Sequence, residues 1–320
     1  MTMPGWGIAR RLCTIDVLTM AFVAQLAAGT IALWAQIPEW RTVVLVCAVV
    51  AGGVPFLGWL RTHLDVGAVR VVHDWSFALS VYPIYLAVLL VAGPSQSGRV
   101  YDAWLIAADR RIFGTDPTIW LSRFAHPIGT ELLQLAYASF YLLPLAVAAE
   151  LYFGGRESRF RQWVFVCGCG FYLSYVGYLV LPAVGPRFTL HDVAATGRDL
   201  PGLWLTPSLR ALIDGGGVIP IEAAAGEAIR LAPRDAFPSG HALVTLLTIF
   251  WAWRFRLGVR WAVTVVGALL VVATVYLRYH YVVAVLAGAA LAAPCLALAP
   301  AVHAWLAGQL GTIDEERKAR

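Results

Sequence analysis

The chain has 320 residues, of which 60% are hydrophobic and 13% charged. A water-soluble domain carries about 25% charged residues, so the composition excludes an ordinary soluble enzyme and makes a membrane protein the default. The formal net charge is +5, but the positive charge is almost all Arg in short gaps between apolar runs. That placement reads as membrane topology, and no nucleic-acid partner is expected.

A spanning helix needs about 20 mostly apolar residues. Candidate spans in chain order are 16–36, 41–60, 75–93, 129–152, 161–182, 238–256, 260–279 and 281–305. The expected fold class is therefore all-α, a polytopic transmembrane helix bundle of about eight spans. The first run follows Arg10 and Arg11 and resembles a signal peptide, but its length and the runs after it favour a retained helix. The five cysteines, Cys13, Cys47, Cys167, Cys169 and Cys295, lie mostly inside apolar runs. They read as small apolar residues, with no disulfide framework expected.

Two stretches are not spans. Within 94–128, Tyr101 to Arg111 has the pattern of an amphipathic helix lying at the interface. Asp116-Pro117-Thr118 reads as a second short helix start, with Asp at the cap. Residues 184–237 form the longest loop, with Gly215-Gly216-Gly217, several prolines and short apolar pieces. They are expected to fold as an interfacial cap. The domain reading is two N-terminal spans and a loop over 1–74, a catalytic membrane domain over 75–306 that includes the cap loop 184–237, and a tail over 307–320.

Orientation follows from Arg placement. With both termini cytoplasmic, the short Arg-rich turns 153–160 and 254–260 face the cytoplasm, as do Arg10, Arg11, Arg61, Arg70 and the tail with Arg317, Lys318 and Arg320. Loops 94–128 and 184–237 then face the periplasm, exterior or lumen. Three pieces of sequence meet on that face: Gly185-Pro186-Arg187, Pro238-Ser239-Gly240-His241, and Arg278-Tyr279-His280-Tyr281. Topology alone brings Arg187, His241, Arg278 and His280 to one depth.

These residue types suit a phosphate group. Arg187 and Arg278 are permanent cations that can fork onto phosphate oxygens. Pro238-Ser239-Gly240 opens a helix, whose positive end and free N–H groups favour an anion, and Ser239 adds a hydroxyl. One histidine can attack phosphorus and the other can protonate the leaving oxygen. Arginines and helix amides can carry the developing charge, so no metal or other cofactor is expected. A lone interfacial histidine is ordinarily just solvated; the coincidence of four residues carries the reading.

Pro238-Ser239-Gly240-His241, followed some forty residues later by His280 at a helix junction, resembles the type 2 phosphatidic acid phosphatase superfamily of membrane lipid phosphatases and phosphotransferases. Asp109 to Thr118, Tyr137-Ala138-Ser139-Phe140-Tyr141, Gly185-Pro186-Arg187 and Tyr279-His280-Tyr281 look closest to its inositol phosphorylceramide synthase-like branch. The resemblance covers about 95–300. It implies a six-helix phosphatase-type core with two added N-terminal spans. It also implies a phosphohistidine intermediate on His280, with His241 as acid and then base. The chain departs from the pattern in lacking a Lys ahead of the first-motif Arg. It also has Ala273-Thr274 where a Ser–Arg pair is usual, so that Arg278 stands in.

The third departure is Ala284. The family places an Asp four residues after the nucleophile, one helical turn on, where it fixes the imidazole. Three explanations are open: an inactivating Asp→Ala replacement, which is favoured because the rest of the site looks intact; a naturally impaired member; or another acid, Asp102, Asp109, Asp192 or Asp235, reaching His280 from a loop. The expected function is a lipid phosphatase, or a phosphotransferase that passes phosphate to an alcohol acceptor such as ceramide. The lipid substrate comes from the bilayer. The alternative is a non-catalytic lipid-phosphate-binding or transport protein, against which stands the scarcity of charge inside the spans. The sequence carries no signal for an oligomeric state.

Overall fold

The computed structural model describes residues 12–64, 66–216 and 231–311. Arg10, Arg11, Gly217, Arg317, Lys318 and Arg320, which entered the sequence reading, lie outside them. The described residues hold helices and turns and no strand. In chain order the helices are α1 Thr14–Ala32, α2 Trp40–His63, α3 Gly67–Asp74, α4 Ser76–Ala92, α5 Asp102–Phe113, α6 Pro117–Leu121, α7 Pro127–Ala138, α8 Leu142–Phe153, α9 Glu157–Val180, α10 Pro186–Thr189, α11 Thr196–Asp199, α12 Thr206–Gly216, α13 Gly240–Arg254, α14 Arg260–Tyr276 and α15 Val282–Leu310.

Among the described residues, five helices are long and apolar enough to cross a membrane: α1, α2, α4 with the turn that carries it on to Gln96, α9 and α15. Eight spans were expected; by length and composition five helices qualify, or six if α7 and α8 count as one. The stretch expected as a single span at 129–152 is instead this pair, bent by 50°. The break has a local cause. The Ser139 hydroxyl donates to the Ala136 carbonyl at 2.7 Å, competing with the helix ladder, and Pro144 removes a donor from the next turn. Helices α13 and α14 have 15 and 17 residues, because their apolar windows run on into the loops that carry the motifs.

Helix α9 is the hub. It packs against α1, α4, α8, α13 and α15, and 67% of its apolar window is buried against 28% for α2 and α15. Small residues let neighbours approach: a side chain at Gly177 would strike Pro238, and one at Gly170 would meet Leu247 and Leu243. At one end of the bundle a buried ionic cluster ties the helices together. Arg61 donates to Asp74 at 2.6 Å, His73 lies 3.2 Å from Asp16, and Arg161 donates to Glu157 at 2.7 Å. Burial alone would push His73 down; its bonds to Asp16 and Asp74 outweigh this and hold it above the usual imidazole range.

The helix expected over Tyr101 to Arg111 is α5. Asp116 does precede α6, but its carboxylate forks Arg110 at 2.8 and 2.9 Å and makes no cap bond. Glu131 instead fastens the cap loop to α7, accepting from the backbone N–H of Leu203 and Leu205 and from the Thr206 hydroxyl.

Candidate active site

At the end of the bundle opposite the ionic cluster, loops 94–128 and 184–216 gather around the starts of α13 and α15. Asp102 accepts from the Val184 and Gly185 N–H groups at 3.0 and 2.8 Å and from the Tyr281 hydroxyl. Asp109 accepts from the N–H groups of Val282 and Val283, the first-turn donors of α15 that its own ladder cannot satisfy. Three backbone bonds then lock the motifs together: Arg187 N–H to Arg278 O at 2.8 Å, Ala236 N–H to Ala183 O at 3.0 Å, and Ser239 N–H to Ala284 O at 2.9 Å. Gly185 sits at φ +94, and a side chain there would meet the Tyr279 carbonyl. Only glycine fits this crossing.

This frame brings the two histidines into contact. His280 Nε2 lies 3.2 Å from His241 Nδ1, and His280 Nδ1 lies 2.9 Å from the Ala236 carbonyl oxygen. A carbonyl can only accept, so His280 Nδ1 carries the proton. In neutral His280 the lone pair is then on Nε2, facing His241, and His241 Nδ1–H is the donor between the rings. The His241 ring is held between Phe140, at 4.2 Å, and Tyr137, stacked at 4.6 Å. Both aromatics come from the α7–α8 break. His280 is buried, at 3% exposure.

The position where a carboxylate was expected, Ala284, is fully buried against Leu105, Ala183 and Ala236. None of the four alternative acids bonds to His280. Asp102 and Asp109 hold backbone as described, and Asp192 caps its own turn through Ala194. Asp235 accepts from the Tyr85 hydroxyl at 2.6 Å yet lies near enough to act on His280 electrostatically. Burial pushes Asp235 above the usual carboxylate range. Burial likewise pushes His280 below its ordinary value, against opposing pulls from Ala236 and Asp235. Because His280 then stays neutral below pH 6.5, the acid limb of a kcat/KM profile is expected below that value. A limb at or above pH 6.5 contradicts a neutral His280 as the attacking group.

His241, His280, Gly240 and Arg187 line one cavity of about 500 Å³. Arg187 is forked by Asp214 of α12, with Nη2 at 2.8 Å from Oδ2, and its guanidinium lies over the Phe188 and Tyr279 rings. The other two phosphate-site candidates are placed elsewhere. The Ser239 hydroxyl accepts from Ala242 N–H at 3.2 Å as the cap of α13. Arg278 does not line the cavity; its backbone turns to φ +70, and its guanidinium bonds Asp199 at 3.2 Å and Ser122 at 3.1 Å. The sequence reading missed Asp214, Tyr85 and Asp199. Asp235, three residues before Pro238, was among its candidate acids.

Asp214 puts an anion where a phosphate on Arg187 would sit. Two charges 4 Å apart at an effective dielectric of 20 interact by about 4 kcal/mol, so the carboxylate competes with an incoming phosphate. Asp214→Asn is expected to lower KM for a lipid phosphate about tenfold. A raised KM instead means that Asp214 serves to orient Arg187.

In the described residues, Cys13, Asp16 and His73 have ligand atoms within 4.8 Å of one another. They belong to the ionic cluster at the far end and touch none of this chemistry.

Membrane-length helices with a buried histidine pair and one arginine on a single cavity fit a multi-pass membrane protein. A family model for the PAP2 superfamily matches residues 103–298, and the chain belongs to that superfamily. A PA-phosphatase related-family protein of Dictyostelium discoideum is 24% identical over 221 residues, 63% of this chain and 38% of the relative. The chain thus spans under two-fifths of that relative's length. No solved structure matches the chain.

Proposed function

We propose that this protein cleaves a lipid phosphate or phosphodiester by way of a phosphohistidine on His280. The supporting observation is the pair of contacts on His280: Nδ1 on the Ala236 carbonyl and Nε2 on His241. In this reading the lone pair of His280 Nε2 attacks phosphorus while the bond to the leaving oxygen breaks. His241 enters this step as the imidazolium, its charge offset by the bound phosphate anion, and its Nδ1–H gives its proton to that oxygen, releasing an alcohol. His241, now neutral with a free Nδ1 lone pair, takes a proton from water or from an acceptor alcohol. That oxygen attacks the phosphohistidine, and His280 is regenerated. Arg187 and the positive end of α13 at Gly240 hold the phosphoryl oxygens.

The reading includes transfer to a lipid alcohol such as ceramide, as in inositol phosphorylceramide synthase-like proteins. It includes about eight spans, cytoplasmic termini and a site facing the periplasm, exterior or lumen. The test is inorganic phosphate release from a lipid phosphate by the purified protein, with and without acceptor alcohols. Release that falls as an acceptor is added, with a new phosphodiester formed, marks transfer.

Ala284 favours a second reading, in which the chain is an inactivated or non-catalytic member that binds lipid phosphate without turnover. The Ala236 carbonyl weighs against it, because it holds the tautomer that a carboxylate one turn on would hold. On the catalytic reading, Ala284→Asp buries a second acceptor beside an imidazole with one Nδ1 proton. It is expected to leave turnover unchanged or reduced. A gain of tenfold or more supports the inactivated reading instead.

A further inference from the structure

The cavity at the histidines does not stop there. It continues along α9 from Tyr178, beside Gly240, to Phe160, and along α4 to Trp75 and Asp74. Eighteen residues of helix at about 1.5 Å each make this run about 27 Å, most of the roughly 30 Å hydrocarbon core. Its walls are aromatic and aliphatic. At its far end it is lined by the Trp75 and Phe160 rings, with centroids 5.7 Å apart, and by Asp74, which is held by Arg61 at 2.6 Å; this end is its floor.

We infer that this cavity is a ruler for one unbranched lipid tail of about 16–20 carbons, and that the substrate is a single-chain lipid phosphate. The inference rests on the proposed phosphate chemistry at the histidines. Two quantities agree on the length. Carbon–carbon bonds near 1.5 Å advance an extended chain by about 1.3 Å per carbon, so about 27 Å holds about 20 carbons. At about 30 Å³ per small group, the share of one water in the liquid, 500 Å³ holds about 17. The width excludes a second chain. About 500 Å³ over about 27 Å averages to a section of roughly 19 Å², against about 23 Å² for one alkyl chain by the same figures, so two chains side by side do not fit. The floor makes the limit sharp, since a longer tail must part the ring pair and meet a buried ion pair, whose disruption is costly.

The test is kcat/KM for phosphate release from single-chain monophosphates of 8 to 24 carbons and from a two-chain phosphatidate. The expected profile peaks at 16–20 carbons and falls at least tenfold by 24, with phosphatidate at least tenfold below the peak. Ala148→Trp, on the cavity wall in α8, is expected to move the peak to 10–14 carbons. Phe160→Ala, which opens the floor, moves it above 20. A flat profile, an equal rate on phosphatidate, or a peak that neither variant moves overturns the ruler. If no lipid releases phosphate at all, the catalytic reading fails and the ruler is read from retention of the same radiolabelled lipids by the purified protein. The same peak and shifts then uphold it, and their absence there overturns it.

Discussion

His280→Ala is expected to abolish phosphate release on the proposed mechanism, with turnover falling by about 10⁵- to 10⁶-fold, the scale of loss when a covalent nucleophile is removed. The size follows from the geometry. The Ala236 carbonyl fixes the proton on Nδ1, so the imidazole presents an uncharged lone pair on Nε2 with no deprotonation step. Arg187, which lines the same cavity, cannot replace it as a nucleophile because guanidinium has no free lone pair at any working pH. The variant is expected to keep lipid-phosphate binding within a few-fold. Loss of binding together with turnover points to a collapsed site, and retained turnover removes His280 from the chemistry.

His241→Ala is expected to have the second largest effect, of a size that depends on the substrate. A general acid contributes about 10²- to 10⁴-fold, and only where the leaving oxygen needs a proton. An alkyl lipid phosphate is therefore expected to lose about 10³-fold in kcat. An aryl phosphate with an acidic phenol loses less than tenfold in forming the phosphohistidine. Its phosphohistidine then accumulates, because no base is left to activate water. Equal losses on both substrates contradict the acid role and leave His241 as packing between Tyr137 and Phe140.

The histidine pair was legible in the sequence because each member lies at a span end, and alternating spans bring such ends to one face. The contact partner of His280 was not. A carbonyl such as Ala236 O belongs to every residue and has no signature, so the search for a replacement of the expected Asp at 284 turned to side chains. Arg278 was misplaced for a related reason. Its positive φ swings the guanidinium to Ser122 and Asp199, and sequence alone gives no sign of a left-handed arginine.

The bend between α7 and α8 was hidden because apolar residues continue through it. What breaks the helix is a Ser139 side-chain bond and the proline at 144, neither of which lowers hydropathy enough to end a span. The motif Tyr137 to Tyr141 was nonetheless picked out by resemblance, and it falls at this bend, where it supplies the rings around His241. Residues 184–237 were expected to fold as an interfacial cap, but the partners of their charges were not foreseen. Asp214 and Asp199 are ordinary loop acids until the chain brings them to Arg187 and Arg278.

The central claim is that His280 carries the phosphoryl group. Its most direct measurement is transfer of label from a ³²P-lipid phosphate to the protein, quenched in alkali, where phosphohistidine survives. Label is expected on His280, absent in His280→Ala and increased in His241→Ala when an aryl phosphate donates. Turnover without labelled protein, or label that persists in His280→Ala, contradicts the claim.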